Sequence, residues 1–418
     1  FHNMCKNHLG RSAEKAVKHP IIINSWEAMY FDITEKRIEN LVRSCRGLGI
    51  DTFVLDDGWF GCRKSDNSSL GDWYIDKNKF PNGLKNIISI CKENGMSFGI
   101  WFEPEMISEN SELYRRHPDW CIHTPGCAPI ESRSQLVLDM ARSEVVDCIY
   151  NQLAALLNEY DITYVKWDMN RNITDNGSAS LSADAQGEHA HRYILGVYSL
   201  MDRLTKAFPD VLFEGCAGGG GRFDFGILYY MPQIWTSDDT DAVERLKIQY
   251  GTSMVYPVSA MTAHVSACPN HQTGRITPFK TRGDIAQICN FGYELDASKL
   301  SSAETEQIKE QIKLHRKIEP MIYNGDFYRL ISPFESDCCC WQIAAQDKKN
   351  SAVVFAAQKA TPNSGGFYIK LRGLDPESIY TVSPMNIKLH GKTLMNAGLP
   401  ITKEYFDFNT AIFELTAE

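Results

Sequence analysis

The run Tyr164-Val-Lys-Trp-Asp-Met-Asn-Arg171 brings a cation, a carboxylate, an amide and a guanidinium to the end of an apolar strand pattern. Side chains alternate along a strand, so Lys166, Asp168 and Asn170 share one face while Trp167 points away. Gathering charge in this way costs desolvation unless the groups are paired or in use. A carboxylate beside a fixed cation stays ionised, as a nucleophile or an electrostatic anchor must.

Other apolar segments end in the same manner. They run into Trp26-Glu27, into Asp56-Asp57-Gly58-Trp59, and into Trp101 with Glu103 and Glu105 just beyond. Further on come Cys216-Ala-Gly-Gly-Gly-Gly-Arg222 and Ser237-Asp238-Asp239, with His264 expected after a seventh strand. Each has an ordinary explanation when taken alone. Asp56-Asp57 would cap a helix, and Glu103 and Glu105 would be loop carboxylates or helix-dipole partners. The glycine run would be a flexible loop, and His264 a satisfied structural histidine. Repetition at one strand end after another is what structural need alone does not explain. The glycines match neither a Walker nor a Rossmann spacing, which argues against phosphate binding.

Two chemistries use such parts. A magnesium site of the enolase kind needs carboxylates on successive strands, and Asp168, Glu214 and Asp238 meet that by counting. Lys166 on the face of Asp168 would, however, place a fixed cation beside the metal, and no His-x-His pair suits zinc. The metal-free alternative divides two carboxylates between attack at an anomeric carbon and protonation of the leaving oxygen. The indoles of Trp26, Trp59 and Trp101 would face sugar C–H groups, and adjacent acids such as Asp56-Asp57 would grip vicinal hydroxyls.

Short apolar segments alternating with amphipathic ones must position these residues. Strands are expected at 21–25, 52–55, 97–101, 164–167, 211–214, 233–236 and 255–260, with an eighth near 291–295. Amphipathic helices are expected at 35–48, 83–93, 143–159 and 189–208. This alternation predicts an α/β fold, a (β/α)8 TIM barrel whose chemistry collects at the C-terminal strand ends. A doubly wound sheet would show a glycine-rich turn after its first strand, and none is there. A helix over 303–318 closes the barrel. Strand patterns at 332–345, 351–358, 366–371, 379–383 and 411–415 then predict a small antiparallel β-sandwich. The expected division is 1–20 as a remnant of an N-terminal region, 21–322 as the barrel and 323–418 as the sandwich.

Composition narrows the function classes. A net charge of −9 without basic runs argues against nucleic acid. No apolar stretch is long enough to span a membrane. Thirteen cysteines, an odd number, with Cys338-Cys339-Cys340 consecutive and the rest scattered, fit a reducing cytoplasm better than a disulfide framework. The N-terminus shows no signal peptide. The chain begins with Phe rather than Met, so a trimmed protein is expected.

The barrel motifs together resemble glycoside hydrolase family 36, the microbial α-galactosidases or melibiases. They are Asn24-Ser-Trp-Glu-Ala28, Leu55-Asp-Asp-Gly-Trp-Phe60, Gly99-Ile-Trp-Phe-Glu-Pro-Glu-Met106, Lys166-Trp-Asp-Met-Asn-Arg171, Cys216-Ala-Gly-Gly-Gly-Gly-Arg-Phe-Asp224 and Trp235-Thr-Ser-Asp-Asp-Thr-Asp241. The resemblance implies Asp168 as nucleophile and Asp238, the first acid of its pair, as acid/base. It implies that Asp56 and Asp57 bind the galactose 4- and 6-hydroxyls and that Trp26 and Trp101 wall the pocket. Arg133, Lys166 and Asn170 would contact sugar near the nucleophile, with Cys216 and the Gly219 backbone on the 2-hydroxyl side. No metal or other cofactor is implied.

The implied reaction is retaining hydrolysis of terminal α-1,6-linked galactose from raffinose- and melibiose-type oligosaccharides. It proceeds by double displacement between carboxyls about 5–5.5 Å apart. Family members carry a large β-supersandwich before the barrel, where only residues 1–20 stand here. In tetrameric relatives that domain contributes to a neighbour's site, so a homo-oligomer would depend on it. Rival readings are an α-N-acetylgalactosaminidase, a raffinose-synthase-like galactosyltransferase and a non-enzymatic galactoside-binding protein. The Cys216–glycine segment argues for a 2-hydroxyl over an acetamido group, and two intact carboxylates argue against a mere binder.

Overall fold

A computed structural model describes residues 2–9, 19–360, 366–401 and 407–418. Eight parallel strands close into a barrel in sequence order: β1 (Ile22–Asn24), β2 (Thr52–Leu55), β3 (Ser97–Phe102), β4 (Tyr164–Trp167), β5 (Leu212–Gly215), β6 (Gln233–Trp235), β7 (Met261–Ser266) and β8 (Asn290–Glu294). The (β/α)8 expectation is thereby met. Amphipathic helices supply the outer ring. The helix Ser143–Glu159, for example, turns Val145, Ile149, Leu153 and Leu157 inward at one-turn spacing. The helix Ser302–Asn324 starts with a capping box between Ser301 and Glu304 and follows the last barrel strand.

One strand lies elsewhere than expected. The segment 255–260 contains Pro257 and makes a 3-10 turn at Val258–Ala260, and β7 follows it. His264 therefore sits inside β7 rather than after it. Inward Thr262, His264 and Ser266 interrupt the apolar pattern, which disguised this strand as a loop.

The strands that follow the barrel are β9 (Asp326–Ile331), β10 (Cys338–Ala344), β11 (Asn350–Ala357), β12 (Phe367–Ile369), β13 (Ile379–Ser383), β14 (Ile387–His390), β15 (Leu399–Ile401) and β16 (Thr410–Ala417). They form a six-stranded antiparallel sheet in the order β9-β10-β11-β16-β13-β14 and a two-stranded sheet, β12-β15. Of the segment expected as one strand, 332–345, only Cys338–Ala344 is strand; a turn containing Pro333 fills 332–337, and β9 before it has no counterpart among the expected strands. Period-two alternation divides the larger sheet between two interiors. Cys339, Trp341, Ile343, Val354 and Ala356 pack into the barrel core. Cys340, Val353, Phe355 and Leu415 face Ile369, Leu399 and Ile401 of the smaller sheet. Of the segment 1–20, residues 2–8 form a helix, and residues 1 and 10–18 lie outside the described residues. Among the described residues no helix is long and apolar enough to cross a membrane.

Candidate active site

Barrel register brings the strand-end residues together. Trp101 of β3 is the lateral neighbour of Lys166 of β4, which in turn neighbours Glu214 of β5. The ladder continues one residue past the strands, with Asp168 N–H donating to Phe102 O at 2.8 Å and Cys216 N–H to Trp167 O at 2.7 Å. Lys166, Asp168 and Asn170 consequently face one cavity, and Trp167 points the other way, its indole N–H bonded to Glu105 at 2.9 Å.

Asp168 is nearly sealed from solvent and surrounded by donors. Its Oδ2 accepts from the Trp101 indole at 3.0 Å and the Asn170 amide at 2.9 Å. Its Oδ1 accepts from the Met169 N–H at 2.9 Å. Burial alone would raise this carboxyl. The Lys166 charge and hydrogen bonds from Cys216, Trp101 and Asn170 outweigh burial and hold it below the usual aspartate range. Lys166 itself donates to Asp56 Oδ2 at 2.9 Å, an oxygen that also accepts from Asn24 at 2.6 Å. Asp57 is clamped through both oxygens by Arg63, at 2.9 and 2.8 Å.

Asp238 lies in the loop after β6. Burial, then the negative charge of Asp168, pushes its carboxyl up to about 6. The Trp235 indole donates to Asp238 Oδ1 at 3.0 Å. Arg245 braces the loop by donating to the Ser237 carbonyl at 2.5 Å and the Asp239 carbonyl at 2.7 Å, on either side of Asp238. Asp239 turns into its own loop and accepts from the Asp241 N–H at 3.0 Å. Of the two adjacent acids, only Asp238 lines the cavity.

That cavity, of about 260 Å³, is lined by Trp26, Asp56, Asp57, Trp101, Arg133, Lys166, Asp168, Asn170 and Asp238. Cys216 and Gly219, expected beside them, are not among the residues that line it. The Cys216 thiol is hydrogen-bonded to Asp168, and the Gly219 N–H contacts Cys216 Sγ at 3.4 Å. Gly219 has φ +86°, and a Cβ there would fall 2.6 Å from the Asp238 nitrogen, so glycine lets the two loops touch. Arg133 and Ser134 hold left-handed φ values of 53° and 55°, a strained pair at the cavity rim. Arg133 donates to the Asn170 carbonyl at 3.3 Å.

Further lining residues were not singled out from the sequence. Glu294 ends β8, so the strand-end rule applied to the eighth strand finds it; it pairs with His264 at 3.2 Å. Trp235 lay within a quoted motif. His271, Gln272 and Tyr30 come from loops whose sequence carries no signal of their placement. Among the described residues no cluster of three or more His, Cys, Asp or Glu is arranged to hold a metal ion.

Comparison with known proteins gives a concordant result. The melibiase family profile matches residues 1–325, and that of the glycosyl hydrolase family 36 C-terminal domain matches 338–415. The α-galactosidase AgaA of Geobacillus stearothermophilus is 48% identical over 417 residues, which is 100% of this chain and 57% of AgaA. The bifunctional α-galactosidase/sucrose kinase AgaSK of Mediterraneibacter gnavus is 48% identical over 99% of this chain and 44% of its own length. The crystal structure of AgaA superposes with a TM-score of 0.97, covering 100% of this chain and 58% of that one. A variant of AgaA has been crystallised with raffinose and superposes equally well, at 0.97. The chain thus spans 44% to 57% of the length of these curated relatives.

Proposed function

The chain belongs to glycosyl hydrolase family 36, and we propose that it is a retaining exo-α-galactosidase acting on raffinose- and melibiose-type oligosaccharides. The observation that carries this reading is a pair of buried carboxyls in one cavity whose surroundings drive them in opposite directions. Asp168 is held ionised, and Asp238 is pushed up to about 6. Divergent acids of this kind are what double displacement needs.

In the first step Asp168 attacks the anomeric carbon while Asp238 gives its proton to the departing glycosidic oxygen. Water then attacks the galactosyl–enzyme ester, with Asp238 taking a proton from it. Asp56 and Asp57 grip the 4- and 6-hydroxyls from the oxygens' remaining acceptor capacity. The Lys166 and Arg63 partnerships support this by keeping both carboxylates fixed in place. Trp26 and Trp101 give apolar walls, and Arg133 and Asn170 reach sugar oxygens beside the nucleophile.

Residues 21–322 serve as the catalytic unit and 323–418 as its C-terminal companion, a division supported by the separate spans of the two family matches. A reducing, cytoplasmic setting fits thirteen cysteines that are all unpaired.

The deciding experiment follows hydrolysis of p-nitrophenyl α-galactoside by proton NMR. α-Galactose is expected as the first-formed anomer, and Asp168→Ala should release none while melting like the parent protein. First-formed β-galactose, or undiminished turnover in the variant, would refute the mechanism. Turnover of the N-acetylgalactosamine glycoside in preference to the galactoside would reassign the substrate.

A further inference from the structure

Two carboxylates of the segment Glu103-Pro-Glu105 are wholly buried, and they are treated differently. Glu105 is neutralised by Arg222 through two contacts of 2.8 and 2.7 Å, with Trp167 and Tyr193 completing its shell. Glu103 has no Lys or Arg within ion-pair distance among the described residues. Its Oε1 accepts the Asn170 N–H at 2.5 Å, and its Oε2 lies 3.2 Å from Gln135 Nε2. The charged groups facing it are Asp168, at the end of β4, and the Asp57–Arg63 pair from the loop after β2. That pair is internally balanced, so an ionised Glu103 would be an unpaired buried charge beside another anion, an arrangement that is strongly unfavourable.

A neutral carboxylic acid in this place needs an acceptor for its O–H. One is available: Gln135 Oε1 is buried and has no hydrogen-bond partner. Exchanging the oxygen and nitrogen of that amide, which the hydrogen-bond network rather than shape must assign, turns the oxygen toward Glu103 Oε2. The amide N–H then takes the unpartnered position on a residue that lines the cavity.

We infer that Glu103 is a positioning residue that works as the neutral acid, giving its O–H to Gln135 and receiving the Asn170 N–H, so that Asn170 is held onto the nucleophile Asp168 without a second charge beside it. Burial, then the Asp168 charge, pushes the Glu103 carboxyl up to about 8, in keeping with that state at neutral pH. The inference rests on the proposed role of Asp168, but its principal readouts need no turnover.

The test compares the parent chain with Glu103→Gln and Glu103→Ala. Glutamine reproduces a neutral acid, accepting from Asn170 and donating to Gln135, so E103Q should keep most of the parental turnover. E103A should lose on the order of 10²-fold in kcat as the nucleophile is misplaced. The parent-minus-E103Q infrared spectrum at pH 7 should contain the carbonyl band of a protonated carboxyl. The linkage has a definite sign. The folded state binds this proton more tightly than the unfolded, so the parent loses stability from about pH 4.5 to pH 8. The melting temperature of E103Q should accordingly gain on the parent across that window. A carboxylate band in place of the acid band, or a melting difference that is flat with pH, would overturn the neutral-acid assignment. E103Q as impaired as E103A would overturn it as well. An inactive parent that still shows the acid band and the pH-dependent melting difference would count against the galactosidase reading and leave the state of Glu103 standing.

Discussion

Lys166 binds Asp56, at 2.9 Å, and acts on Asp168 only through space. One ammonium thereby serves two carboxylates that the proposed mechanism uses differently. It fixes the sugar-binding acid by contact and keeps the nucleophile ionised by its field. The side chains are 7% and 4% exposed, so solvent screens the pair little.

Lys166→Met should leave Asp56 as an uncompensated buried charge and cost about 3–5 kcal/mol of stability. Chemical denaturation measures the loss. Adding Asp56→Asn should restore much of it without restoring galactose release, because the grip on substrate is gone. Additive destabilisation in the double variant would show that the contact is not what matters.

The pH profile should report Asp238. Its proton is needed for departure of the leaving group, so kcat/KM should fall as pH rises through about 6. Asp238→Asn should flatten that limb and lose roughly 10²–10⁴-fold on natural oligosaccharides, less on activated aryl galactosides. Stability moves in a defined direction too. The folded carboxyl is raised above its ordinary 3.8, so the parent loses stability between that value and about 6, and D238N should not. Equal losses on both substrate types would remove Asp238 from the acid role.

Gly219→Ala should lower galactoside turnover by displacing the loop that carries Asp238. Its φ of +86° disfavours any side chain, and the added carbon would fall 2.5 Å from Ser237 Cα. Strain of about 1–3 kcal/mol is expected. The acid loop has to shift, and kcat should fall more than KM rises in galactoside kinetics. An unchanged kcat would show that the loop tolerates displacement.

Much of this site was legible because one rule covers most of it. Polar residues that end barrel strands point into the mouth, so Trp26, Asp56, Trp101, Asp168 and Asp238 could be found from patterning and the family motifs. The rule failed where its inputs failed. Inward polar residues hid β7 and misplaced His264, and the strand-end reading stopped before Glu294 of β8. Residues six apart in a loop, such as Asp57 and Arg63, pair through a turn geometry that no periodicity reveals. The opposite fates of Asp238 and Asp239 depend on backbone direction within a single loop, which residue type does not encode.

The consecutive cysteines of β10 carry a consequence for the whole chain. Cys339 belongs to the interior that supports the barrel strands, and Cys340 to the interior under the small C-terminal sheet. The six-stranded sheet is thus a party wall, and neither room stands once it is removed. Heating should melt barrel and sheet in a single calorimetric transition, and a chain cut at Gly325 should yield aggregate rather than a folded barrel.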